Sequence, residues 1–317
     1  MQRLFLAVFL LSLWACNQPQ QVASGDEIAY ADLEILENAE HFAVIGDWGR
    51  NGYFNQKELA VHLNNVVELM DANFIISTGD NFYDNGVASI DDPLWMSSFE
   101  NIYDGPALLR DWYVVLGNHD YRGNAQAQID YSHKSRRWNM PARYFHKHQK
   151  LKGSTGIDMV FMDSNPYQLE YHENPEKYRG ITTQDTAKQA AWLDSLLKAS
   201  AARWKIVIGH HPLFTSGKRA GKPQDMANRF KGLFDASQVD AYWCGHEHDL
   251  QHNKPEGYTH YYVSGAGSEV RPSGKVDFTQ FAESVTGFMT FSFTPDTLLV
   301  QAIDYQGRIR YKYYQTK

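Results

Sequence analysis

The sequence predicts one layered α/β domain, and three observations carry that expectation. Short apolar runs alternate with a helical pattern through the first two thirds of the 317 residues. The final part changes character, alternating apolar and polar residues between turn signals. Five of the apolar runs also stop at a polar residue of metal-binding type: Asp47, Asp80, Asn118, His210, and the pair His246 and His248. In open α/β sheets, sites form beyond the carboxyl ends of strands.

Taken in order, HFAVIG (41–46) is a short apolar run that stops at a glycine, as a buried strand does. NQKELAVHLNNVVELM (55–70) has helical spacing, with Leu59, Leu63, Val66, Val67 and Met70 on one face. Asn55 and Glu58 predict a capping box at its start. NFIIST (73–78), DWYVVLG (111–117) and TGIDMVFMDS (155–164) predict further strands, the first two ending before Gly79-Asp80 and Asn118. TAKQAAWLDSLLKA (186–199) predicts a helix with Ala190, Leu193, Leu196 and Leu197 inward. WKIVIG (204–209) and VDAYWC (239–244) predict strands that end at His210 and Gly245. GFMTFSF, TLLVQAID and RIRYKYY then alternate, with turns at Thr294-Pro295-Asp296 and Gln306-Gly307, and predict antiparallel strands. No repeat or low-complexity linker follows residue 30.

The chain opens MQRLFLAVFLLSLWAC, with Arg3 before an apolar stretch from Leu4 to Trp14 that is too short for a permanent span. Ala15-Cys16 at its end resembles a bacterial lipobox, so residues 1–16 are expected to be a lipoprotein-type signal peptide with Cys16 lipidated. Residues 17–39 are then a polar tether and 40–317 the domain. The expectation is an exported protein on a membrane through its lipid anchor only. Cys244 is the one other cysteine, which leaves no internal disulfide. A net charge of −7, with HKSRRW (133–138) as the densest basic cluster, excludes nucleic-acid scaffold binding. The sequence carries no signal for an oligomeric state.

GDWG (46–49), GDNFY (79–83), GNHD (117–120), VIGHHP (207–212) and CGHEH (244–248) together resemble the calcineurin-like metallophosphoesterases. Tyr83 in GDNFY narrows the resemblance to the purple acid phosphatases. GDNFYDNGV, WYVVLGNHDYRGN, KSRRWNMP and YYVSGAG are similar to the small tartrate-resistant branch. The resemblance covers roughly residues 40–315. It implies a β-sandwich of two mixed sheets flanked by helices. It also implies that Asp47, Asp80, Tyr83 and His248 bind one metal, and that Asp80, Asn118, His210 and His246 bind the second, with Asp80 bridging. Three anionic oxygens and an imidazole suit Fe(III), whereas an amide and two imidazoles suit a divalent Fe, Zn or Mn. The implied reaction is hydrolysis of phosphomonoesters by a metal-bound hydroxide, with His119 as general acid and Asp120 as its partner. The partners are small phosphorylated substrates.

Two departures from the family stand out. Where the family carries another substrate-facing histidine, this chain has Arg219 beside Lys218, a candidate phosphate clamp. The segment 165–183 stands where animal members carry a cleavable, disulfide-linked loop, yet it has no cysteine. The remaining residues of metal-binding type carry no spacing argument. His211 is expected to be a neighbour of His210 only, and His62, His133, His146, His148 and His252 are expected to be solvated. Cys244 is expected to be a buried strand thiol, and Glu247 to point away from the metals. Two other functions fit the same residues: phosphodiester or nucleotide hydrolysis on the same centre, or a non-catalytic phosphate-binding surface lipoprotein. The second would need a degraded ligand set, and no ligand is missing.

Overall fold

A computed structural model describes residues 29–222 and 225–317. The expected signal peptide, Cys16 and the tether up to residue 28 lie outside the described residues. In chain order the strands are β1 (Glu40–Ile45), β2 (Phe74–Ser77), β3 (Trp112–Val114), β4 (Trp138–Asn139), β5 (Phe145–Gln149), β6 (Ile157–Phe161), β7 (Trp204–Ile208), β8 (Ala241–Cys244), β9 (Leu250–Asn253), β10 (His260–Ser264), β11 (Thr279–Glu283), β12 (Gly287–Phe293), β13 (Thr297–Asp304) and β14 (Ile309–Thr316). They form two seven-stranded sheets, ordered β14-β13-β12-β1-β2-β3-β4 and β11-β9-β10-β8-β7-β6-β5.

Both sheets are mixed. β1 to β4 run parallel, while β12 pairs antiparallel with β1 and continues into the β13 and β14 meander. In the second sheet β6, β7, β8 and β10 are parallel, with antiparallel β5 and β9 outside them. The central parallel strands β1, β2, β6, β7 and β8 are buried almost throughout, which is why they read as continuous apolar runs. β14 alternates half-buried and exposed residues because it closes an edge.

The sheets pack face to face through Phe42, Val44, Ile76, Ile206, Trp243, Phe291 and their neighbours. The helix Gln56–Leu69 covers the outer face of the first sheet, burying Leu59, Leu63, Val66 and Val67 completely. Each such burial contributes about 1.5–3 kcal/mol. The helices Thr186–Ala199 and Asp225–Ala236 cover the second sheet through Leu193, Leu197, Phe230 and Phe234.

The capping box at Asn55 does not form. The chain enters the helix from a left-handed turn, with Asn51, Phe54 and Asn55 all at positive φ. That turn carries the Asn55 side chain away to Thr286, 3.4 Å distant. Gln56 braces the turn instead, its Oε1 accepting from Arg50 N at 3.2 Å and Gly52 N at 2.7 Å. His252 is a second correction: it is buried, not solvated. β9 lies inside the sheet between β10 and β11, so His252 meets Tyr311 Oη and His260 Nδ1, each at 2.9 Å, and stacks on Tyr262.

Candidate metal centre

The carboxyl ends of β1, β2 and β3 from one sheet, and of β7 and β8 from the other, meet at one edge of the sandwich. There the backbone turns sharply. Asp47, Asp80 and His246 sit at φ 58, 52 and 69°, a left-handed conformation that costs each residue on the order of 1 kcal/mol or more. Cross-loop bonds hold the turns in place: Asp47 N donates to Gly79 O at 2.9 Å and Gly245 N to His210 O at 3.0 Å. Two glycines leave room for the carboxylates. A Cβ at Gly245 would lie 2.2 Å from Asp47 Oδ2, and one at Gly117 would lie 2.2 Å from Asp80 Oδ1.

Four donor atoms converge in the first set. Tyr83 Oη lies 3.0 Å from Asp47 Oδ1, 2.9 Å from Asp80 Oδ2 and 3.1 Å from His248 Nε2. His248 Nδ1 is committed to Glu269 O at 2.9 Å, which leaves Nε2 as a lone pair facing the set. One phenol hydrogen cannot serve three acceptors, and all four residues are buried.

In the second set, His210 Nδ1 is committed to Thr78 O at 2.9 Å. His210 Nε2 then faces Asn118 Oδ1 at 3.4 Å and His246 Nδ1 at 3.2 Å. Turning the Asn118 amide over would let its nitrogen donate to His246 Nδ1 at 2.9 Å. In either orientation the Asn118 amide stays beside His210 Nε2 and His246 Nδ1, a grouping of donor atoms that a cation can use. Asp80 spans both sets, its Oδ2 against Tyr83 and its Oδ1 3.5 Å from His210 Nε2. The donors thus fit two ions sharing one carboxylate.

The electrostatics agree. Burial together with Asp80 holds the Asp47 carboxyl well above its usual range, and burial with Asp47 and Asp80 does the same to the Tyr83 phenol. Burial pushes Asp80 upward too, but His210 and His119 outweigh it and hold that carboxyl below its usual range. Burial lowers His210, His246 and His248, the last to about 3, so all three offer lone pairs at neutral pH. Protons crowd where cations would otherwise carry the charge.

Around these sets lie the other candidates. His119 Nδ1 is 2.7 Å from Asp84 O, so its Nε2 turns to the cavity, 4.0 Å from Asp80 Oδ2. Asp120 does not partner His119. A tight turn points it inward, where it accepts from Gly117 N, Asn81 N, Phe82 N and Gln128 Nε2 and so braces the two loops carrying Asp80 and Asn118. Glu247 points away from the sets and takes Lys218 N, Arg219 N and the Arg219 guanidinium. His211 lies within reach of His210 and His246, but Ser164 Oγ and Tyr171 Oη occupy its two ring nitrogens at 2.8 Å each.

A cavity of about 250 Å³ opens onto the centre. His119 and Arg219 line it, as do five residues to which sequence reasoning gave no role: Arg122, Glu170, Tyr171, Tyr178 and Arg271. Tyr171 and Tyr178 stack at 4.0 Å and come from the 165–183 segment. Arg122 falls within the motif WYVVLGNHDYRGN, and the other four carry no spacing or motif signal. Arg50 is also new: its guanidinium lies 3.8 Å over the Tyr83 ring, held by Asp84 at 3.0 Å and Glu269 at 2.7 Å.

Residues 40–250 match the calcineurin-like phosphoesterase family. Purple acid phosphatase 4 of Arabidopsis thaliana is 35% identical over 305 residues, covering 90% of this chain and 88% of that protein. Tartrate-resistant acid phosphatase type 5 of Homo sapiens is 32% identical over 302 residues, covering 86% and 90%. The chain therefore belongs to the calcineurin-like phosphoesterases and, within them, to the purple acid phosphatase family. Its fold is similar to that of GAP50, the anchor in the inner membrane complex of Plasmodium, with a TM-score of 0.76 at 24% identity over 88% of this chain and 89% of that one. It is also similar to purple acid phosphatase PPD1 from yellow lupin, with a TM-score of 0.66 at 13% identity over 88% and 54%. At those identities the two structures bear on the fold alone.

Proposed function

We propose that this protein is an acid phosphatase that hydrolyses phosphomonoesters on a dinuclear metal centre. One observation carries the reading: two buried donor sets share Asp80, and more acceptor atoms converge there than the single phenol hydrogen of Tyr83 can serve. The curated relatives named above, both called acid phosphatases, support it. Two cations held there would neutralise phosphate charge and lower the pKa of a water so that it could supply the nucleophile at moderate pH.

The chain's own residues do the rest. Asp47, Asp80, Tyr83 and His248 hold the harder site, and their donor chemistry supports Fe(III). Asn118, His210 and His246 with Asp80 hold the softer one, which supports a divalent Fe, Zn or Mn. His119, oriented by Asp84 O, presents Nε2 to the cavity and delivers a proton to the leaving oxygen. The Asp120 bracing keeps the Asp80 and Asn118 loops in register. Export and attachment through a lipid on Cys16 belong to the same proposal, supported by the sequence of residues 1–16. No helix among the described residues is long and apolar enough to cross a membrane.

Rates on p-nitrophenyl phosphate and its bis ester test the reading. Monoester cleavage is expected to be the faster and to vanish in Asp80→Ala. Faster cleavage of the bis ester would make the protein a diesterase, and metal-loaded protein indistinguishable from Asp80→Ala would remove the enzyme reading altogether.

A further inference from the structure

The chain enters the domain at the edge that carries the metal centre. β1 ends there at Ile45, and β12 and β13, each antiparallel to its neighbour, bring Asp304 to the same edge. In the turn that follows, Gly307 O accepts from Tyr30 N at 2.9 Å. The Tyr30 phenol is held too, meeting His62 Nδ1 at 2.6 Å and accepting from Asn65 Nδ2 at 3.1 Å. From that clamp the chain crosses the first sheet, where Glu34 and Gln301 share two hydrogen bonds, and starts β1 at the far edge. Residues 17–28 separate Cys16 from the described chain. Fully extended, a segment of that length reaches about 45 Å. A domain of this size is about 50 Å across. Laying the far edge on a bilayer that holds Cys16 would stretch the segment to its limit against its chain entropy, whereas the metal-centre edge needs no stretching.

That same edge presents apolar surface which folding leaves in water. Tyr53 and Phe54 are adjacent in the turn before the helix Gln56–Leu69 and are 70% and 53% exposed. Phe54 sits at φ 57°, a left-handed backbone that is strained for a bulky residue. The turn is nonetheless pinned, by Gln56 and by Asn51, whose Oδ1 accepts from Ser97 Oγ at 2.6 Å and Ser98 Oγ at 2.9 Å. The Phe54 ring flanks the metal centre: the Arg50 guanidinium lies 5.6 Å from it and 3.8 Å over Tyr83. Across the cavity Leu169 is 68% exposed, next to Glu170 in the lining. Rigidly presented aromatic rings of this kind settle in the headgroup layer of a bilayer. We propose that the metal-centre edge docks on the bilayer that holds the Cys16 lipid, with Tyr53 and Phe54 among the headgroups and the cavity opening toward them. The proposal rests on the lipid-anchor reading above. The lipid supplies the affinity and the two rings the orientation, because a tethered surface meets the bilayer at high effective concentration.

The test uses site-directed fluorescence on the full-length, metal-loaded protein. Cys16 and Cys244 are the only cysteines, the first expected to be lipidated and the second buried, so one introduced thiol can be labelled alone. The label is placed at Lys57→Cys, beside Gly52 of the aromatic turn, or at Lys152→Cys, in the exposed loop between β5 and β6 at the far edge. The protein is reconstituted on vesicles of phosphatidylethanolamine and phosphatidylglycerol that contain nitroxide-labelled lipid. Quenching is expected at position 57 and absent at position 152. Tyr53→Ser with Phe54→Ser should lower the ratio of docked to undocked protein read at position 57 about tenfold. Thermal unfolding and kcat/KM on p-nitrophenyl phosphate should stay near wild type in that variant. Equal quenching at both positions, or quenching that survives the two serine changes, would overturn the proposal. Shielding at position 57 that grows with protein density and ignores the nitroxide lipid would assign the rings to a second copy and overturn it as well. Mass spectrometry separates the two readings: lipid on Cys16 with position 57 unquenched overturns the docking alone, whereas Cys16 without lipid removes the anchor and the docking with it.

Discussion

Replacing Gly245 by alanine isolates the role of the backbone at the metal centre. The new Cβ would stand 2.2 Å from Asp47 Oδ2 and 3.0 Å from Thr78 Oγ1. Ordinary carbon contacts begin near 3.5 Å, so the Asp47 carboxylate has to retreat by roughly 1 Å. It cannot retreat alone, because the same oxygen accepts the His246 N–H at 2.9 Å. One ligand from each donor set is therefore displaced together. A 1 Å misplacement costs about 100-fold in rate, equivalent to about 2.7 kcal/mol of transition-state stabilisation. The assay is kcat/KM on p-nitrophenyl phosphate with metal content per chain and circular dichroism on the same sample. The expected result is a native spectrum, reduced metal content and a loss of about 100-fold or more. Gly232→Ala is the control. Nothing lies within 4 Å of its added Cβ in the helix Asp225–Ala236, so stability should rise by about 0.5–1 kcal/mol with activity unchanged. A Gly245→Ala protein with full metal content and activity within threefold of wild type would refute the reasoning.

Other variants probe other links. His119→Asn should keep its metals but lose about 10²–10⁴-fold in kcat on an alkyl phosphate, and much less on p-nitrophenyl phosphate, whose leaving group needs no proton. Equal losses on both substrates would deny it the general-acid role. Arg50→Met removes a cation stacked 3.8 Å above the Tyr83 ring, so in iron-loaded protein the tyrosinate charge-transfer band should move to longer wavelength. An unmoved band would show that the stack leaves the phenolate untouched. Away from the centre, burial opposes the Asp158 charge, but hydrogen bonds from His146, Ser200 and His148 outweigh it and hold the carboxyl below its usual value of 3.8. A depressed folded pKa stabilises the protein above the unfolded value, and that contribution is lost as pH falls through the folded one. Asp158→Asn should therefore cost on the order of 1 kcal/mol at pH 7, with the difference from wild type shrinking below about pH 4 in urea unfolding.

Much of the site was legible because most of its ligands sit where a buried strand ends. Asp47, Asp80, Asn118, His210 and His246 each follow such a run, and the fold only had to bring five ends together. Adjacency in sequence misled in one place: Asp120 follows His119 but turns inward to brace Gly117 and Asn81. The cavity rim was legible only in part, through Lys218 and Arg219. Arg122, Tyr178 and Arg271 come from three separate loops with no shared spacing, so only the three-dimensional arrangement unites them. His252 failed for a different reason. β9 is four residues long and its burial depends on the β14 tyrosines, more than fifty residues away in sequence. The helix Asp225–Ala236 was overlooked although Met226, Phe230 and Phe234 repeat at helical spacing and are all buried. The capping box failed because Asn55 adopts a left-handed backbone, which residue type alone does not reveal.

The central claim is that two metals occupy adjoining donor sets, one of them bound through a phenolate. Metal content and the visible spectrum of the purified protein test it most directly. The expected result is two metals per chain, one of them iron, with a tyrosinate-to-iron band that disappears in Tyr83→Phe. An active protein that is colourless and free of iron would contradict it.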